Sequence, residues 1–207
     1  MGAVIGALAG FAAFALGRVA PHPIAAAFAL GASVLATGAL HLDGFLDGCD
    51  ALFASVAPAR RLEILKDPHH GSFALAGLLC AGTMWFAALL ALAPATYPAT
   101  LAFAAALSRA AAVANAPAFP RPGGRMPLVP LVLVAFALCG AAFWLHPIAV
   151  VIVPCAFAVS LVLGRWIAGR LDGTFPGDGY GFIIVVLEIA TLGALAIVGA
   201  GTAAGRG

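Results

Sequence analysis

Three aspartates, Asp43, Asp47 and Asp50, stand at i, i+4 and i+7 in the run HLDGFLDGCD. In a helix that spacing sets all three on one stripe. Carboxylates so placed repel one another in a low dielectric. A hard divalent cation removes that repulsion, and magnesium favours oxygen ligands that it shares with phosphates. A solvated helix end with an aspartate cap is the simpler alternative, but capping needs one aspartate and not three in register.

The other acids are grouped as well. Five of the eight fall between Asp43 and Asp67, and three between Asp172 and Glu188. Pro58 opens a short helical stretch that Pro68 stops. It carries Arg60, Arg61, Glu63, Lys66 and Asp67. It reads either as an interfacial helix of mixed charge or as phosphate-binding cations beside an acidic metal stripe. His69 and His70 follow and read as a polar turn at a membrane edge. Farther on, glycines flank Asp178, which lets the backbone approach a ligand closely. Glu188 lies inside an apolar segment, where an unpaired carboxylate is costly. Arg109, also within an apolar segment, is its natural partner, and a purely structural ion pair is a real alternative for these two.

The elements that must position these groups are membrane helices. Of 207 residues, 64% are apolar and only 9% are charged, and mean hydropathy is +1.11. A soluble domain carries roughly a quarter charged residues, so lipid is the solvent that suits this chain. Its formal net charge of +2 leaves no electrostatic footprint for nucleic acid. The four cysteines form no CxxC or zinc-type spacing and read as structural thiols. The opening MGAVIGALAG has no basic n-region and reads as a retained helix instead of a removed signal peptide.

The expected fold is all-α, a polytopic integral membrane protein of about seven transmembrane helices in a single domain over residues 1–207. The spans run approximately Ala3–Val19, Ile24–Leu40, Ser72–Ala93, Ala99–Ala114, Pro127–Leu145, Pro147–Leu163 and Gly181–Ala200, with prolines between them. The aspartate stripe is expected on a continuation of the second helix. Cations concentrate in the second, fourth and sixth connections, through Arg60, Arg61, Lys66, Arg121, Arg125, Arg165 and Arg170. The positive-inside rule makes that side cytoplasmic and puts both acidic clusters there. Glycine and alanine along the spans suit close helix packing.

The run HLDGFLDGCDALF followed by RRLEILKDPHHGSFA resembles the cobalamin synthase family, the adenosylcobinamide-GDP ribazoletransferases. The family's HLDGLADxxD pattern is met by His41, Leu42, Asp43, Gly44, Asp47 and Asp50. Its LEIMKDSRIGxxG pattern is met by Leu62, Glu63, Ile64, Lys66, Asp67 and Gly71. Ser108-Arg109 is similar to the family's SR element, and Arg121-Pro122-Gly123-Gly124 to its RxxG element. Gly177, Asp178 and Gly181 match GGLTGDVLG, and Glu188 matches the acid beyond it. His69 and His70 depart from the pattern by replacing a Ser-Arg-Ile-like stretch, Pro176 replaces a threonine, and Val185 stands where an acid often precedes Glu188. Members usually begin with a further N-terminal segment.

The resemblance implies a magnesium-dependent transferase of the inner membrane that acts on its cytoplasmic side. It would join alpha-ribazole, or its 5'-phosphate, to adenosylcobinamide-GDP and release GMP. On the register and the motif match together, Asp43, Asp47 and Asp50 would bind Mg2+, with Asp67 and Asp178 as further ligands. Arg60, Arg61, Lys66, Arg109 and Arg121 would hold phosphates, with Glu63 and Glu188 beside them. His41 or one of the aspartates would deprotonate the attacking hydroxyl. A homo-oligomer stays open. Against the rivals, the DGxxAR element of CDP-alcohol phosphotransferases fails at Phe45-Leu46-Asp47-Gly48, and a prenyltransferase would show two comparable aspartate-rich motifs. A transporter would hold its acids near the midplane within repeats.

Overall fold

The computed structural model describes residues 1–116, 118–119 and 128–204, and its described residues are helices and turns with no strand. Nine α-helices follow in order: α1 Gly2–Leu16, α2 His22–Leu35, α3 Leu40–Phe53, α4 Pro58–Ile64, α5 Ser72–Ala91, α6 Tyr97–Val113, α7 Leu128–Leu145, α8 Ile152–Arg170 and α9 Gly177–Ala204. Short 3-10 turns at Pro94–Thr96 and Pro147–Val151 lead into α6 and α8. Prolines sit at the first helical positions of α2, α4 and α6, where the missing N–H has no helical partner to lose.

By length and composition, three described segments can cross a bilayer: Ser72–Ala91, Pro147–Arg170 and Gly177–Ala200. A fourth exists only if α2 and α3 are counted together. Gly2–Leu16 and Pro130–Leu145 are apolar but shorter. Large apolar side chains such as Leu8, Phe11, Leu75, Leu79, Leu133, Phe136 and Val162 are exposed on the outside. The interior is instead rich in alanine, an arrangement that suits lipid better than water. All four cysteines are free; Cys49 is buried, whereas Cys80 and Cys155 face outward.

Small residues set the helix spacing. Gly2, Gly6 and Gly10 lie against Ala105, Leu101 and Tyr97 of α6 in antiparallel register. A Cβ on Gly2 would stand 2.6 Å from the Ala105 carbonyl oxygen, so no larger residue fits without a shift. Polar residues that interrupt the apolar segments serve as ties between helices. Asn115 donates to Ser160 Oγ at 2.9 Å, and that hydroxyl donates to the Ala111 carbonyl at 2.6 Å. Near the start of α6, the Tyr97 hydroxyl donates to the Leu89 carbonyl.

One expectation is corrected here. The second helix does not run on through the aspartates, because α2 and α3 are bent 86° apart. Gly38 at φ 60° and Ala39 at φ 58° make the bend. The left-handed conformation suits glycine and costs an alanine about 1 kcal/mol. Beyond the bend, α3 meets the first turn of α5, the first turns of α9 and the end of α8. These three helix ends lie together, and α3 packs across them.

Candidate functional site

The stripe expected from spacing forms on α3, but its three aspartates part company. Asp43 and Asp47 face outward beside His70, with His70 Nδ1 3.4 Å from an Asp47 oxygen and His70 Nε2 4.0 Å from an Asp43 oxygen. One ligand atom from each of these three lies within 4.8 Å of the others, a grouping able to hold a metal ion. Asp50 is buried and bound to backbone instead. Its carboxylate accepts from the backbone N–H groups of Gly71 and Ala74, at 2.5 and 2.9 Å, and so closes the start of α5. That role also carries His70 to the mouth of the stripe, one residue before Gly71.

Asp178 reaches the same face through glycine contacts. A Cβ on Gly44 would stand 3.1 Å from the Asp178 Cα, and one on Gly181 would stand 3.0 Å from the His41 carbonyl oxygen. Gly48 similarly admits the Phe182 ring, which stacks on Phe45 with centroids 5.3 Å apart. Close approach of α3 to the first turns of α9 therefore brings a third negative charge to Asp43 and Asp47. The Asp47 carboxyl is pushed up to about 6, first by burial and then by Asp43 and Asp178, with His70 opposing. A proton or a cation on this group is thus within reach at neutral pH.

His41 marks the inner boundary of the face. Burial pushes its imidazole below the usual histidine range, and the Arg109 charge adds to this. Behind it, Arg109 donates to Glu188 at 3.2 Å, with side chains 19% and 6% exposed. The pairing expected between these two is present. The Arg109 guanidinium also donates to the Ala105 carbonyl at 2.9 Å.

The cations of α4 divide between two tasks. Arg61 is buried and donates to the Ala54 and Arg170 carbonyls, while Arg170 donates to Leu52 and Ala54. Both guanidiniums thus satisfy carbonyls at the ends of α3 and α8. Arg60 pairs with Glu63 at 2.6 Å on the exposed side, and Lys66 is exposed beyond them. Asp67 accepts from the His69 backbone N–H at 3.0 Å and lies 2.8 Å from the His69 ring nitrogen. These hydrogen bonds hold its carboxyl below the usual aspartate range. Asp67 is not part of the Asp43–Asp47–His70 group. Arg121 lies outside the described residues.

Spacing alone did not reveal His70. Its nearness to Asp43 and Asp47 depends on the turn from α4 into α5, and the only signal was its place three residues after Asp67, in a stretch that departs from the LEIMKD-type family pattern.

The fold and the site define an all-helical chain with membrane-type helices and an acidic, metal-competent face at one end of its bundle. The chain belongs to the cobalamin-5-phosphate synthase family, whose description matches residues 1–196. A relative from Deinococcus radiodurans named adenosylcobinamide-GDP ribazoletransferase is 36% identical over 186 residues, which is 84% of this chain and 64% of the relative. Relatives of the same name from Stutzerimonas stutzeri and Brucella anthropi are 35% and 36% identical. Those matches cover 95% and 78% of this chain, and 84% and 65% of the relatives. The chain thus spans just under two thirds of the Deinococcus and Brucella proteins. No solved structure matches it.

Proposed function

We propose that the chain is a membrane transferase that joins alpha-ribazole, or its 5'-phosphate, to adenosylcobinamide-GDP. The observation that carries this reading is the convergence of Asp43, Asp47 and His70, with Asp178 beside them, in a chain of this family. In the reaction the ribazole hydroxyl attacks the phosphorus attached to cobinamide. A new P–O bond forms, the diphosphate bridge breaks, and GMP leaves with the bridging oxygen. Phosphoryl transfer depends mainly on positioning and on charge neutralisation.

Asp43 and Asp47 would hold a Mg2+ ion. Their hard oxygens fit it, and burial together with the charges of Asp43 and Asp178 raises the Asp47 group, a cost that a bound cation would offset. When bound, the ion would neutralise the diphosphate. His70 would offer an imidazole to the same ion, a donor that manganese accepts more readily than magnesium does. Among the described residues near the face, Arg60 on α4 and Lys66 just beyond it are exposed cations available to the guanylyl phosphate, since Arg61 and Arg109 are engaged with the fold. His41 or an aspartate of α3 takes the hydroxyl proton.

In this reading seven helices cross the membrane: α1, α2, α5, α6, α7, α8 and α9. The arginine-bearing connections face the cytoplasm, and α3 and α4 lie at that surface of the inner membrane. The spans α1 and α2 are short, at 15 and 14 residues, and local bilayer thinning accommodates them.

The reading is tested on purified protein in nanodiscs, supplied with adenosylcobinamide-GDP, alpha-ribazole and magnesium. Magnesium-dependent, EDTA-sensitive formation of the cobalamin product with equimolar GMP is the expected outcome. Well-folded protein that forms neither product, with alpha-ribazole 5'-phosphate tried as well, refutes it.

A further inference from the structure

Beneath the acidic face lies a second polar feature, which shares His41 with that face. Where α2, α3, α5, α6 and α9 converge, Ser33, Thr37, His41, Trp85, Arg109 and Glu188 line a cavity of about 10 Å³. Two of these residues carry buried polar atoms with no hydrogen-bond partner among the described residues, Ser33 Oγ and Trp85 Nε1. Ser33 is 7% exposed and Trp85 is 4% exposed. Buried donors are seldom left unpaired, because each then forfeits its hydrogen bond to water without replacement. The remaining polar groups are partly engaged. Thr37 Oγ1 donates to the Val34 carbonyl, and Arg109 holds one Glu188 oxygen.

We infer that this cavity is a binding site for one structural water, held by Trp85 and Ser33 as donors and by Glu188 and His41 as acceptors. The volume admits about one water and nothing larger. The count of hydrogen bonds closes as well. Water accepts from the indole N–H and the seryl O–H, and donates to the Glu188 carboxylate and a ring nitrogen of His41. That makes four partners, at the upper end of what buried waters make. The water links the imidazole at the acidic face to the ion pair among the helices. The Arg109 charge already acts on that imidazole. The inference holds whichever substrate the acidic face takes, since it concerns groups of this chain only.

The test uses the full chain with Trp144→Phe and Trp166→Phe, which leaves Trp85 as the sole tryptophan. Ultraviolet resonance Raman spectroscopy then reads the hydrogen-bond state of its indole N–H. A bonded N–H is expected, and Ser33→Val, which fills the cavity, is expected to shift the band to the unbonded position. In the same protein, rotating-frame NMR is expected to show a cross-peak between long-lived water and the Trp85 indole proton, a readout that needs no cavity-filling variant. An unbonded indole or a missing water cross-peak overturns the inference. So does a band that Ser33→Val leaves unmoved in folded protein.

Discussion

His70 sits 3.4 Å from Asp47 although the two are 23 positions apart in the chain, with its imidazole facing the carboxylate stripe of α3. The contact exists because Asp50, one turn farther along α3, holds the backbone of Gly71. One aspartate therefore positions the connection to α5, and the other two are left to face a ligand. This division of labour sets the expected behaviour of the variants below.

Asp47→Asn is expected to fold and to lose divalent-cation binding by about tenfold or more, with transfer activity falling to background. Calorimetric titration of Mg2+ and the coupled product assay measure the two effects. Full activity in the variant refutes the metal role of the stripe.

Asp50→Asn should behave differently, as a variant of the fold. An amide oxygen still accepts one N–H but carries no charge toward the start of α5, so a stability loss of about 1 kcal/mol is expected. Denaturation in mixed micelles reports it. A large loss of cation affinity with unchanged stability would instead make Asp50 a ligand.

The pH dependence follows from Asp47. Its folded-state group titrates at about 6, above the ordinary value of 3.8, through burial, Asp43 and Asp178. A raised carboxyl costs the folded state stability above pH 6, and protonation relieves that cost as the pH falls through 6. In EDTA, Asp47→Asn is therefore expected to raise Tm at pH 7.5, with the gain shrinking by pH 5. Mg2+ affinity of the unmodified protein falls across the same window, because protons compete for the group. An equal Tm gain at both pH values refutes the assignment.

His70→Ala removes the nitrogen donor and leaves the carboxylates. Binding of Mn2+ is expected to weaken more than binding of Mg2+, since imidazole suits the softer ion. Parallel titrations with the two metals decide the point, and equal losses would reduce His70 to a charge partner.

Arg109→Leu leaves the Glu188 carboxylate buried and unpaired, at a cost of about 3 kcal/mol or more. The double variant Arg109→Leu with Glu188→Leu is expected to recover most of that loss, because apolar replacement of a buried pair is often neutral. Denaturation of the single and double variants measures the coupling. A double variant as unstable as the single one contradicts a structural pair.

Composition and motif order were enough to establish an all-helical, membrane-type chain and its family. Bilayer solvation demands apolar helices, and that demand is written in each segment separately. The spacing of Asp43 and Asp47 was enough to place them on one stripe, since helical periodicity is local. Tertiary structure decided what local periodicity cannot carry. The left-handed pair Gly38-Ala39 turned α3 across the bundle end and set it off from α2. Glycines 44, 48 and 181 let α9 approach closely enough to add Asp178. Burial then separated residues of like type, sending Asp50, Arg61 and Arg109 to backbone or paired partners and leaving Asp43, Asp47 and His70 outward. The physical reason is that a charged side chain takes its role from whatever it meets across the fold, and those meetings depend on contacts far apart in the chain.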